Sequence, residues 1–239
     1  MSDFPKMASS RIISKFLSPA LGFWLRSQVE KVDSLHFEIQ GEDRQILSGY
    51  IPIVYLLSEA AIYRGLNLGK IEVLSQNIRI NIGQILRGKP LRLLEPIQVT
   101  GKVQIAQNDL QSSLDSPIFS NALNDLLLLL LESSGIENFK DVFNEAELVW
   151  RKIILEDQKF QLQGKWMRKN HQETHLLALS SLMQLTSPNI LRLSSVEFEG
   201  PYQIDLTELT IDLGENVELS SLVLSHEELI AQGKAIIQN

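Results

Sequence analysis

In "IQVTGKVQI", residues 97–105, the apolar side chains Ile97, Val99, Val103 and Ile105 share one parity, and Gln98, Thr100, Lys102 and Gln104 share the other. Successive side chains of a strand point to opposite faces, so this spacing builds a sheet with one dry and one wet side. The alternation recurs along the chain. "NIRINI" sets Ile78, Ile80 and Ile82 against Asn77, Arg79 and Asn81. "KFQLQGKW" sets Phe160, Leu162 and Trp166 against Lys159, Gln161, Gln163 and Lys165, and "LHFEI" offers Leu35, Phe37 and Ile39. "VEFEGPYQIDLTELTIDL" reads as strands with acidic outer faces and a turn at Gly200-Pro201. "EDQ" at 156–158 and "KNHQE" at 169–173 sit between strand-like runs and predict hairpins. Strands joined by such short turns form an antiparallel meander and not βαβ units. "IPIVYLLSEAAIYRG", 51–65, fits either helix or strand by period alone.

Against this background stands "NDLLLLLLESSG", 124–135, with six consecutive leucines. Asn124, Asp125 and Glu132 bound the run, which falls far short of the ~18 apolar residues that a membrane span needs. Its flanks predict a helix over about 117–134: Ser116 as N-cap, Pro117 at the first position and Gly135 past the end. On that helix Phe119, Leu123, Leu126, Leu127 and Leu130 share a face, opposite Asn121, Asn124, Asp125, Leu128 and Glu132. Leu128 and Leu131 make the last turns apolar all round, a pattern that predicts enclosure by the rest of the protein.

A second amphipathic helix is predicted over about 9–31, where Ile12, Ile13, Phe16, Leu17, Leu21 and Leu25 mix with Arg11, Lys15 and Arg26. Pro19 is expected to kink it. Its apolar face needs cover, either from the sheet or from a bilayer interface, where Arg11 and Lys15 would meet lipid. The segment lacks the basic start and unbroken apolar core of a signal peptide. No transmembrane stretch is present either, so the expected location is cytoplasmic or peripheral to a membrane.

At 239 residues, 44% hydrophobic and 21% charged, the chain fits one folded domain spanning 1–239. It has no cysteine, which excludes disulfides, thiol catalysis and cysteine zinc sites. A net charge of −7 argues against nucleic acid as a partner. That charge is unevenly spread: residues 1–110 carry 13 Lys and Arg against 10 Asp and Glu, and residues 111–239 carry 9 against 19. Such asymmetry either orients a molecule on an anionic surface or is a chance split over a solvated one.

Chemistry-bearing motifs are missing. "GQILRGKP", 83–90, nearly matches a phosphate-binding loop, but Pro90 stands where a magnesium-binding hydroxyl belongs. His171 and His175, with Glu173 between them, have metal-ligand spacing only on a helix, and they fall in a predicted turn. No nucleophile elbow is present, and Glu197 and Glu199 read as the wet face of a strand. No catalytic residue, metal or cofactor is expected, and the chain is not expected to be an enzyme.

"NIRINIGQILRGKPLRLLEPIQVTGKVQIAQNDLQSSLDSPIFSNALNDLL", residues 77–127, resembles the LmeA-type family of phospholipid-binding proteins. The likeness is carried by "GQILRGKPLRLLEPI", "VTGKVQI" and "NDLQSSLDSP", and "AIYRGLNLGKIEVLSQ" extends it, with strands implied for 51–65. It covers about residues 35–135 and implies an α+β fold of the tubular lipid-binding type. In that fold a strongly curved antiparallel sheet wraps one or two long helices, and acyl chains lie in the apolar groove between them. The resemblance thus implies non-enzymatic binding, and transfer, of a phospholipid or other acyl lipid at a membrane surface. Each buried CH₂ of such a ligand is worth about 0.8 kcal/mol. The expected groove residues are Phe119, Leu123, Leu126, Leu127, Leu128, Leu130, Leu131, Ile78, Ile80, Val99 and Val103. Arg87, Lys89 and Arg92, within the family-like loop, are the expected phosphate contacts. The alternative is a protein–protein interaction module on the same fold with no lipid.

Overall fold

The computed structural model describes residues 13–136, 143, 146–168 and 174–237. A π-helical turn, Ile13–Leu17, leads into α1 (Ser18–Ser27), β1 (Lys31–Gln40), α2 (Asp43–Leu47), β2 (Tyr50–Tyr63), β3 (Leu66–Arg79) and α3 (Ile82–Ile85). Then come β4 (Ile97–Ala106), α4 (Gln107–Ser112), α5 (Pro117–Ser133), β5 (Ala146–Glu156), β6 (Lys159–Arg168) and β7 (Thr174–Ser187). β8 (Ile190–Glu199), β9 (Glu208–Asp212), β10 (Val217–Ser225) and β11 (Glu228–Ile237) complete the order.

Every strand pairing is antiparallel, as the alternation predicts. The strands form two sheets rather than one: six strands in the order β1-β2-β3-β4-β11-β10, and five in the order β5-β6-β7-β8-β9. The ambiguous 51–65 stretch lies mostly in β2, and it turns into β3 at Arg64 and Gly65, both at positive φ (50° and 78°). That is the backbone a two-residue hairpin needs for its twist to match the strands. The predicted hairpin at 156–158 joins β5 to β6, with Gln158 at φ 58°. The predicted turn at 169–173 lies outside the described residues.

Three local expectations change. The N-terminal helix, expected over 9–31, is a π turn followed by α1 and has ended by residue 28, because β1 starts at Lys31. Pro19 lies in the first turn of α1, directly after the π turn, so the helix changes type at this point and does not end there. Ile82 is not in a strand. β3 ends at Arg79, Ile80 forms a lone bridge with Leu93, and Ile82 opens α3. Ile78, Ile80 and Ile82 are all buried even so.

Helix α5 matches its sequence signals closely. The Ser116 hydroxyl accepts from the Phe119 N–H (3.3 Å), and Gly135 takes φ 70° just past the end. Leu123, Leu127, Leu130 and Leu131 bury one side of it in a core shared with Trp150, Leu155, Phe160, Leu162, Trp166, Leu179 and Leu193 of the five-stranded sheet. A second core joins Ile13, Leu17 and Leu21 to Ile39, Ile46, Ile51, Val54, Ile78, Ile80, Ile85, Leu91 and Leu93.

The sheets are stitched at three places, one of them where the Leu219 N–H of β10 donates to the Pro188 carbonyl in the β7–β8 turn (2.5 Å). The Gln158 N–H, in the β5–β6 turn, donates to the Leu224 carbonyl of β10 (3.1 Å). Helix α4 covers the free edge of β5: Gln107 accepts from the Leu155 N–H (2.7 Å), and Gln111 accepts from the Ile153 N–H (3.1 Å) while donating to the Arg151 carbonyl (2.8 Å).

Candidate functional site

Cross-strand partners project from the same face of a sheet, so the pairing registers show what the six-stranded sheet presents to its helices. Three rows cross it. The middle row runs Phe37, Leu56, Val73, Gly101, Gly233 and Leu219. On one side lie Leu35, Ser58, Ile71, Val103, Ala231 and Leu222, and on the other Ile39, Val54, Ser75, Val99, Ala235 and Val217. None of these residues carries a charge, and only two serines are polar.

Helix α1 lies on this face, and the core that holds α5 adjoins it. A Cβ on Gly22 of α1 would be 3.4 Å from the Phe37 ring, and Val103 and Leu222 pack against the core that holds α5. Ile39 and Val54 belong to the other core. Between the two cores Leu56, Val73, Val99 and Leu219 join neither and stay half-exposed. Gly101 and Gly233 occupy the centre of the middle row. Gly233 is required there, because a Cβ would collide with the Glu218 carbonyl oxygen beside the β10 bulge.

The expected groove residues do not form one group. Val99 and Val103 lie on the apolar face. Ile78 and Ile80 are in the core with the N-terminal segment, away from the leucines of α5. On α5 itself Leu123, Leu127, Leu130 and Leu131 are buried, and Phe119 and Leu126 are half-buried against the same core. Leu128 is half-buried, while Leu129 is 39% exposed. The last turns are therefore covered on one side only. The outer side of the helix borders an open groove of about 650 Å³ lined by Glu30, Arg64, Ile118, Asn121, Ala122 and Asp125.

A hollow of about 610 Å³ at the middle of the six-stranded sheet is lined mostly by residues of the other parity, and Phe37, Leu56, Val73 and Gly101 of the middle row also border it. Tyr55, Leu57 and Leu74 supply apolar wall, and Glu38, Lys70, Glu72 and Lys102 supply charge. The Lys70–Glu72 hydrogen bond and ion pair hold the Glu72 carboxyl below its ordinary pKa and the Lys70 ammonium above its own.

Arg87, Lys89 and Arg92 are all exposed in the loop after α3. Lys15 is exposed on the π turn, 5.5 Å from the centre of the Phe16 ring, and Arg11 lies outside the described residues. His175 is exposed, while His171 and Glu173 lie outside the described residues. Among the described residues no cluster of three or more His, Asp or Glu side chains is placed to hold a metal, and no helix is long and apolar enough to cross a membrane.

Leu56, Val73 and Leu219 of the middle row escaped the sequence reading. Their only signal is a parity shared with neighbours in other strands, which needs the register to be seen.

These features define an antiparallel α+β protein with an uncharged, partly open sheet face between two cores. The chain belongs to the LmeA-like phospholipid-binding family, which matches residues 8–234, nearly its whole length. The family is described by what it binds and not by a reaction. No curated protein and no solved structure matches the chain.

Proposed function

We propose that this protein binds a phospholipid, or another acyl lipid, on the apolar face of the six-stranded sheet and exchanges it at a membrane surface. The observation that carries the reading is the uncharged middle row, half-exposed between two closed cores. Five interstrand spacings of about 4.8 Å give that row about 24 Å, room for an extended fatty acyl chain. The sheet forms the floor of the groove, and the cores that hold α1 and α5 form its sides. At about 0.8 kcal/mol per buried CH₂, the ligand needs only dry walls, and no catalytic step is involved. The hollow on the other face is less suited to an acyl chain, because burying charge beside hydrocarbon is costly. Leu128, half-exposed on α5, is a candidate for groove wall, whereas the four fully buried leucines serve as its support.

Neighbouring residues test the face directly. Val73 points into the proposed groove and Leu74 into the opposite hollow. Native mass spectrometry after mild purification should find lipid on the wild type and on Leu74→Gln, with much less on Val73→Gln. Retention by Val73→Gln and loss from Leu74→Gln would place the ligand on the other face. A wild type free of lipid, and unable to take any up from vesicles, would refute the reading.

A further inference from the structure

We propose that the end of the molecule formed by the α2–β2 turn and the α3–β4 loop docks onto an anionic lipid bilayer. Three large apolar side chains stand out there: Leu47 (52% exposed), Leu86 (40%) and Leu94 (60%). The segments that carry them converge. The Gly49 carbonyl accepts from the Ile80 N–H (2.9 Å), and the Arg79 carbonyl accepts from the Leu94 N–H (2.9 Å). Helices α2 and α3 are in contact. Four cations, Arg44, Arg87, Lys89 and Arg92, are exposed around these leucines, and none forms an ion pair among the described residues. Between residues 44 and 50, and between 79 and 94, there is no acidic side chain; Asp43 and Glu95 stand at the margins.

The loop is held in this presentation. Asn81, 9% exposed, donates to the Pro90 carbonyl (3.0 Å) and to the Gln84 side chain (3.1 Å), and its own oxygen accepts from the Arg92 N–H (2.7 Å). Leu91 and Leu93 are buried as anchors, so the extended chain between them turns Arg92 and Leu94 outward. Exposed leucines ringed by unpaired cations suit a surface with a negative head-group layer over hydrocarbon. The cations are attracted over about a Debye length, and the leucines partition once contact is made. The acidic excess of residues 111–239 would hold the rest of the molecule away from such a surface. The docking surface is independent of which sheet face carries lipid.

Co-sedimentation with vesicles of phosphatidylcholine mixed with phosphatidylglycerol, beside vesicles of phosphatidylcholine alone, tests the proposal. The wild type should bind the anionic vesicles more strongly, and less well as salt rises. Arg87→Ala/Lys89→Ala/Arg92→Ala should bind at least about tenfold more weakly at low salt. Leu86→Ser/Leu94→Ser should lose the binding that survives high salt. All the substituted side chains are exposed, so thermal melts should match the wild type, and native mass spectrometry should show any bound lipid retained. No sedimentation of the wild type, equal binding to both vesicle types, or undiminished binding by both variants would overturn the proposal. A protein partner on this surface would give the first of these results.

Discussion

Gln111 shows how one side chain replaces a missing strand. β5 is the edge of its sheet, and an open edge invites pairing with other chains. Gln111 reaches across from α4 and satisfies both the Ile153 N–H and the Arg151 carbonyl. Gln107 does the same for the Leu155 N–H one turn earlier. Gln111→Ala should lower stability by about 2 kcal/mol, since two backbone groups lose their partner together and only water can replace it. Urea denaturation measures this. A change within about 0.5 kcal/mol would mean that the edge is tolerated uncovered.

At the scale of the element, α5 behaves as a two-sided helix built from one residue type. Leu127 and Leu130 have no exposed surface, whereas Leu129, between them, is 39% exposed. Leu127→Ala should cost about 2–5 kcal/mol, through lost transfer energy and the cavity left among the aromatic residues of β5 and β6. Leu129→Ala should stay within about 0.5 kcal/mol. Paired denaturation curves decide it. Similar losses for both would show that the helix is enclosed all round, as the leucine run by itself implies.

At the scale of the molecule, two cores sit at the two ends of one sheet. The N-terminal segment completes one of them, because Ile13 and Leu17 are buried beside Ile46, Ile85 and Leu91. Ile13, Leu17 and Leu21 are therefore covered by protein, while Phe16 and Phe23 remain exposed. Deleting residues 1–17 should destabilise that end by about 4 kcal/mol, the loss of two buried aliphatic side chains. Hydrogen exchange should quicken in β1 and β2 while β6 and β7 keep their protection. An unchanged melt with unchanged exchange would make the segment a detachable foot.

The strands β4 and β6 and the helix α5 are legible in the chain itself. A half-buried strand repeats its burial every two residues, and a helix announces its ends through Ser116, Pro117 and Gly135. These signals are local, so they survive without any tertiary knowledge. The family-like segments around Arg87 and Val103 are legible for the same reason, since they are contiguous. β2 is not: Ile53, Tyr55 and Leu57 are as apolar as Val54 and Leu56, and only pairing with β1 and β3 decides which set faces the helices. Leu47, Leu86 and Leu94 have no period at all, and a leucine in a loop is an anchor or an exposed tip according to what packs over it. The division into two sheets depends on β11 returning to β4 across more than a hundred residues. Such a contact leaves no local trace, because its free energy comes from the closing of the whole chain upon itself.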